Sequence, residues 1–515
     1  MRTDKSAASR TFLRPEVIVT LVILVVCIPY AILFPVGCGL DEAEHVARVY
    51  QLAQGQLKGD VVGYAEGYPT DTEEEKANAA LWGGEVDSTL IEVTLANKAA
   101  FAATADDGSP YEFSFPAWLD HDDDEATLEL GDNGTQTYVF SNTVVNAPTV
   151  YLPQLLGYLI SSTFIKGAYV LVVAMRLFGI MAYAACVYVA VRTIPVGKWA
   201  LAVVAALPNT LATVSCVSAD TVTNALCFLA IAFLLRFALA DELPGISCTV
   251  GLCLTVTLLT TAKMTYVPLA FGPLLLFAVN PVCRTRRFAI PLVAATLVGV
   301  GIYAAWAPNA LGINTCAMFD IGYVSTAEQL AYVKGAPLTF VRRFLGNLMH
   351  RNVFQLGPYI DAYTKARLSG ITRWGIAGLL LLSVVGSVSW ARRPRLAARR
   401  SLVVCALLVL AFFICAFLVY LATYLTFNQV GANTFDGIPK RYFVPIIGLL
   451  LVAASVAVEV AATSLAARGA DEDDDVTPLG EGASLAVQNV ASILCTLGIV
   501  AVEAQFLLLA FTAVY

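Results

Sequence analysis

"VIVTLVILVVCIPYAILFPVGCGLDEAEHVARVYQLAQGQL", residues 17–57, decides how the rest of the chain is read. Its first half is an unbroken apolar run, and about 20 such residues are enough to cross a hydrocarbon core. Its second half sets Asp41, Glu42, Glu44, His45 and Arg48 at the mouth of that run. Similar runs recur along all 515 residues, of which 58% are hydrophobic and 14% charged, with a mean hydropathy of +0.71. Soluble domains carry about 25% charged residues. Lipid offers no partner to backbone polar groups, so spanning segments are helices or a closed barrel. The runs here are continuous rather than alternating, which excludes the barrel. The sequence therefore predicts an all-α polytopic membrane protein of about 11 transmembrane helices. The first run is long for a signal sequence, and "FPVGCGL" is a poor cleavage site, so it is read as a retained helix.

Basic residues set the expected orientation. The tail 1–14 is basic and is placed in the cytoplasm, and 15–34 is the first span. Residues 35–165 form an extracytoplasmic segment, and 166–307 carry spans two to seven. A second extracytoplasmic segment follows at 308–370, and 371–515 carry spans eight to eleven. Among these, 199–216 is expected as one outward span and 265–280 as one inward span. "VCRTRRF" and "ARRPRLAARR" then fall on the cytoplasmic side, together with the acidic loop "RGADEDDD".

The net charge of −7 is local in origin. Acids crowd the insert at roughly 60–132, and no arginine occurs between Arg48 and Arg176. "TDTEEEKANAALWGGEVDSTLIEVTLANKAAFAA" reads as partly helical, and "DHDDDEATLELGDNGTQTYVF" as turns and strands. "DHDDDE" lacks the glycine and spaced ligands of a calcium loop. No basic patch interleaved with aromatics is present, so nucleic acid is not an expected partner. The 12 cysteines include no CxxC pair and lie mostly in apolar runs, where they act as small hydrophobes. Cys38 and Cys316 are both expected outside, near helix ends, and are a candidate disulfide.

Read as a helix, "LDEAEHVARVYQLAQG" puts Asp41, Glu44 or His45, and Arg48 on one face, opposite Val46, Val49, Leu52 and Ala53. It is then an amphipathic helix at the membrane surface, whose charges either serve a site or simply face water. Other polar residues gather on the same side: Asn146 and Tyr151 before the second span, Ser218 and Asp220 in a turn, Lys263 between two short runs, and Lys440, Arg441 and Tyr442 near the end. Carboxylates and cations together suit phosphate binding and activation of a hydroxyl. The plainer alternatives are an N-cap for Asp220, an ion pair for Lys263 and a snorkelling end for Arg441.

"PVGCGLDEAEHVARVYQLAQGQL", "NAPTVYLPQLLGYLI", "LPNTLATVSCVSADTVTNALCFL", "TAKMTYVPL" and "GIPKRYFVP" occur in that order. In this they resemble the bacterial membrane family catalogued as domain of unknown function 2142. Asp41, Glu42 and His45 match its DE-x-x-H box. Lys440 departs from the glutamine-glycine that usually precedes its RYF box. That family is similar in topology to the C-type (GT-C) glycosyltransferases. The resemblance implies a multi-pass protein of the bacterial plasma membrane, with a GT-C-like fold and its active face outside. It implies a polyprenyl-phosphate-linked sugar donor and an envelope glycan or protein acceptor. It further implies catalytic roles for Asp41, Glu42 and His45, with Arg48, Asn146, Tyr151, Asp220, Lys263, Arg441 and Tyr442 at the substrate and lipid phosphate. Asp41 and Glu42 are alternatively ligands of a divalent cation. Two other readings stand beside it: a transporter, flippase or polymerase of lipid-linked glycans, and a non-catalytic envelope-assembly protein.

Overall fold

A computed structural model describes residues 14–102, 128–319, 323–350, 370–388, 398–438, 440–466, 481–512 and 514. The basic tail, the "DHDDDE" stretch with His121, most of "ARRPRLAARR" and the "RGADEDDD" loop lie outside these described residues.

The first apolar run forms α1 (Pro15–Leu33), with Pro15 at its first turn, where a missing N–H costs nothing. Pro35 disfavours helical backbone at the residue before it, and the helix ends there with Phe34 extended. After a short turn comes α2 (Glu42–Ala53). The acidic insert then supplies β1 (Asp60–Tyr64), α3 (Glu73–Ala79), β2 (Ala80–Asp87), α4 (Ser88–Ala102) and β3 (Thr135–Val139). The strands form an antiparallel sheet in the order β1-β2-β3, with Val61 opposite Trp82 and Gly84 opposite Tyr138. α3 starts with a capping box: the Thr72 hydroxyl accepts from the Glu75 amide, and the Glu75 carboxylate accepts from the Thr72 amide.

A helical turn at Pro148–Tyr151 leads into α5 (Leu152–Ser161), which packs on α6 (Ala168–Thr193). Then come α7 (Lys198–Ala205), α8 (Pro208–Val214), α9 (Ala219–Ala238) and α10 (Ile246–Thr261). Short helical turns fill Met264–Val279, and α11 spans Arg286–Leu311. The remainder is α12 (Thr326–Gly335), α13 (Pro337–His350), α14 (Gly370–Gly386), α15 (Ala398–Phe427), α16 (Val444–Ala466) and α17 (Glu481–Thr512).

Among the described residues seven helices are long and apolar enough to cross a membrane, fewer than the eleven expected. Ile246–Thr261, Met264–Val279 and Gly370–Gly386 are apolar but shorter. The span expected at 199–216 is broken into α7 and α8, because Pro208 has no amide to donate and favours extended backbone at Leu207. The one expected at 265–280 is a series of short turns interrupted by Pro268 and Pro273.

One apolar core joins Val19, Ile23 and Tyr30 of α1 to Ile180 and Tyr183 of α6 and Phe228 and Ile231 of α9. The spans beginning at Ala219 and Lys440 are 78% and 72% buried, against 22% for the span Arg286–Leu311. The two innermost spans are therefore the ones whose first turns carry Asp220 and Arg441, which gives both side chains a rigid base.

Candidate functional site

The site is built around a turn. Gly37 has φ +84°, and a Cβ there would meet the Thr94 carbonyl oxygen at 2.0 Å, so only glycine fits. Four residues on, Asp41 has φ +56° and is the one non-glycine residue with positive φ among the described residues. This left-handed step is uncommon for a non-glycine residue. It removes Asp41 from α2 and sends its side chain and that of Glu42 in different directions.

Glu42 points inward. Its Oε1 accepts from Arg176 Nε (2.7 Å) and the Val217 amide (2.9 Å). Its Oε2 accepts from Arg176 Nη2 (2.6 Å) and the amides of Gly37 (2.9 Å) and Gly39 (3.2 Å). Arg176 also donates to the carbonyls of Ala31, Phe34 and Pro35, satisfying the C-terminal end of α1. Both side chains are fully buried. Burial alone raises the Glu42 pKa, but Arg176 and the amide donors outweigh it and hold the carboxyl below its usual value. Glu42 is thus not a second acid beside Asp41. It ties the turn carrying Asp41 to the loop that precedes Asp220.

Asp41 meets Arg441 instead, with Nη2 3.2 Å from Oδ2. Arg441 Nε also donates to Asp220 Oδ2 at 2.9 Å, and Lys263 bonds the other oxygen of Asp220. Ser218 caps α9, its hydroxyl accepting from the Asp220 amide, which leaves the Asp220 carboxylate for the cations. Lys263 sits on extended backbone where the helix breaks after α10. Its ammonium lies 3.9 Å from the centre of the Tyr442 ring, and the Arg441 guanidinium 5.3 Å. Tyr266 donates to the Tyr442 carbonyl, and the Thr149 and Thr261 hydroxyls bond each other at 2.7 Å, fastening the rim. Asp41 is the most exposed of the four charges, its side chain 27% accessible, and Asp220 the least, at 7%.

His45 lies one turn into α2, with its Nδ1 2.8 Å from the Tyr151 hydroxyl. Asn146 Nδ2 donates to that hydroxyl at 3.3 Å. The Tyr151 hydroxyl thus joins the imidazole to the Asn146 amide. Burial pushes the His45 pKa down to about 4, against the opposing pull of Asp41 and Asp220, so the ring is neutral at pH 7. Burial likewise raises the Tyr151 hydroxyl above its usual value.

The structure brings together Asp41, His45, Asn146, Tyr151, Asp220, Lys263, Arg441 and Tyr442 from five separate stretches of chain. It does not bring Arg48 among the charges. Arg48 is buried, donates to Gln51 and the Leu57 carbonyl, and lies 5.7 Å from the Trp306 ring. Burial lowers its pKa to about 10. The surface-helix reading of α2 is also corrected. Glu42, Glu44, His45, Arg48 and Gln51 are all buried, because the insert covers the helix and Glu44 pairs with Lys98 of α4. The disulfide is not formed. Cys38 donates to the Asn97 carbonyl and Cys316 to the Thr426 carbonyl, on different elements. Among the described residues no group of three or more His, Cys, Asp or Glu is placed to hold a metal, and both Glu42 oxygens are already taken.

Arg176 escaped the sequence reading. Its signal was present, since a lone arginine inside an apolar span requires a partner.

These features define a polytopic helical membrane protein with a buried, charge-compensated polar cluster at one end of its bundle. Residues 24–450 match the family model described as "Predicted membrane protein (DUF2142)", and the chain belongs to that family. No curated protein and no solved structure matches it.

Proposed function

We propose that this protein transfers a glycosyl group from a polyprenyl-phosphate-linked donor to an envelope acceptor at the outer face of the bacterial plasma membrane. The observation that carries this reading is the approach of a partly exposed carboxylate, Asp41, to the Arg441–Asp220–Lys263 group. Asp41 takes the proton of an acceptor hydroxyl as its oxygen bonds to the anomeric carbon. The bond from that carbon to the phosphate oxygen breaks, and its electron pair stays on the phosphate. Arg441 and Lys263 stabilise the charge that develops there. Attack opposite the leaving phosphate inverts the anomeric centre. His45 is buried and engaged with Tyr151, which leaves Asp41 as the proton acceptor.

The test is a deletion in the native host. The envelope should lack one sugar, and lipid extracts should accumulate that sugar linked to a polyprenyl phosphate. If neither changes, the reading fails.

One observation favours a second reading, transport of a lipid-linked glycan. The breaks at Leu207–Pro208 and through Met264–Val279 resemble the discontinuous helices of transporters. Transport would survive loss of the Asp41 carboxylate, whereas transfer would not.

A further inference from the structure

The cluster has no cation to spare: Asp41 and Asp220 balance Lys263 and Arg441. The balance is uneven. Asp220 has a cation on each oxygen and is 7% exposed. Asp41 has one cation contact, the longer of the two made by Arg441, and is 27% exposed. A third anion entering the cluster therefore meets its weakest competitor at Asp41.

We infer that Asp41 and an incoming phosphate compete for Arg441, so that the phosphate frees the Asp41 carboxylate to act as a base. Asp220 keeps Lys263 and the Nε of Arg441 in place meanwhile. Before the phosphate binds, Arg441 holds Asp41 in an ion pair. Once it binds, repulsion between the two anions and the loss of the guanidinium contact turn Asp41 towards the acceptor. The proton acceptor is thereby available only when the leaving group is seated. This inference rests on the lipid-phosphate reading above, and it adds an order of events to it.

The chemistry recognised is a phosphate ester or free phosphate, and the arms of the test separate the two. Full-length protein in detergent is titrated with a polyprenyl monophosphate, with the uncharged polyprenol, and with inorganic phosphate. The variants are Asp41→Asn, Asp41→Gly and Arg441→Gln. Asp41→Gly is included because glycine accepts the φ of +56° at this position, so the fold is retained if Asn strains it.

Removing one carboxylate within several ångströms of a phosphate should tighten binding roughly tenfold at an intermediate dielectric. Both Asp41 variants should therefore bind the polyprenyl monophosphate more tightly than wild type, and Arg441→Gln should bind it more weakly. Tightening for inorganic phosphate as well assigns the recognition to the phosphate alone. Tightening for the lipid only assigns it to phosphate and chain together. Both results support competition. If the Asp41 variants bind equally or more weakly while Arg441→Gln loses binding, competition is overturned and the phosphate site survives. If polyprenol binds as well as its phosphate and Arg441→Gln changes nothing, the phosphate reading falls and this inference with it.

Discussion

At the scale of single residues, His45 has the most measurable behaviour. It is neutral and buried when folded, with a pKa of about 4, against the ordinary value of 6.5. The unfolded chain therefore binds a proton that the folded chain refuses between those two values, so stability falls as pH drops from about 6.5 towards about 4. The full effect is on the order of 3 kcal/mol. Chemical denaturation in detergent should show wild type losing that much relative to His45→Gln across the window, and parallel curves would refute the assignment. Asp41, His45, Asp220, Lys263 and Arg441 could all be picked out in the sequence, because ionisable side chains at the ends of apolar runs are costly without a role. The separate fates of Asp41 and Glu42 could not. Adjacent residues share a surface only if the backbone between them is regular, and the left-handed conformation of Asp41 breaks that regularity.

At the scale of elements, the Glu42–Arg176 pair is the main joint. It joins the end of α1, the turn into α2, the wall of α6 and the loop before α9. Removing one partner strands a buried charge, so Glu42→Ala or Arg176→Ala should each cost about 3–5 kcal/mol. The double replacement Glu42→Leu with Arg176→Met should cost less than the sum of the two single changes, as read from unfolding midpoints in detergent. Additive losses would show that the pair is not coupled. The spans read as unbroken but found broken share one cause. Apolar length was legible at 199–216 and 265–280, but Pro208, Pro268 and Pro273 each withdraw an amide from the helix. The sheet of the insert was partly legible in the turn and strand pattern of 120–140, within which Thr135–Val139 is a strand. Its docking was not, because it depends on pairs far apart in sequence, such as Asn314 donating to the Asn78 carbonyl and Asn78 donating to the Val324 carbonyl.

At the scale of the whole molecule, the polar cluster and the sheeted insert share one end of the bundle, and the expectation from the basic loops, still to be tested, is that this end faces outside. Cysteines introduced at Asp132 and at Arg284, both exposed, should report this directly. A membrane-impermeant thiol reagent applied to intact cells should label the Asp132→Cys variant and spare Arg284→Cys, and the reverse pattern would invert the topology. The membrane class was legible because composition alone settles it. The convergence of five distant stretches was legible only as a shared side, since no local pattern encodes which helix ends meet. The Asp41 carboxylate is proposed to perform the chemistry there. Its most direct test compares envelope glycan composition in the native host between wild type and Asp41→Asn at matched membrane protein level. The variant should lose the same sugar as a full deletion, with transfer reduced by roughly 10²-fold or more. A wild-type glycan profile in the variant, where the deletion does alter it, would rule out a role for Asp41 in transfer and leave it as a structural turn residue.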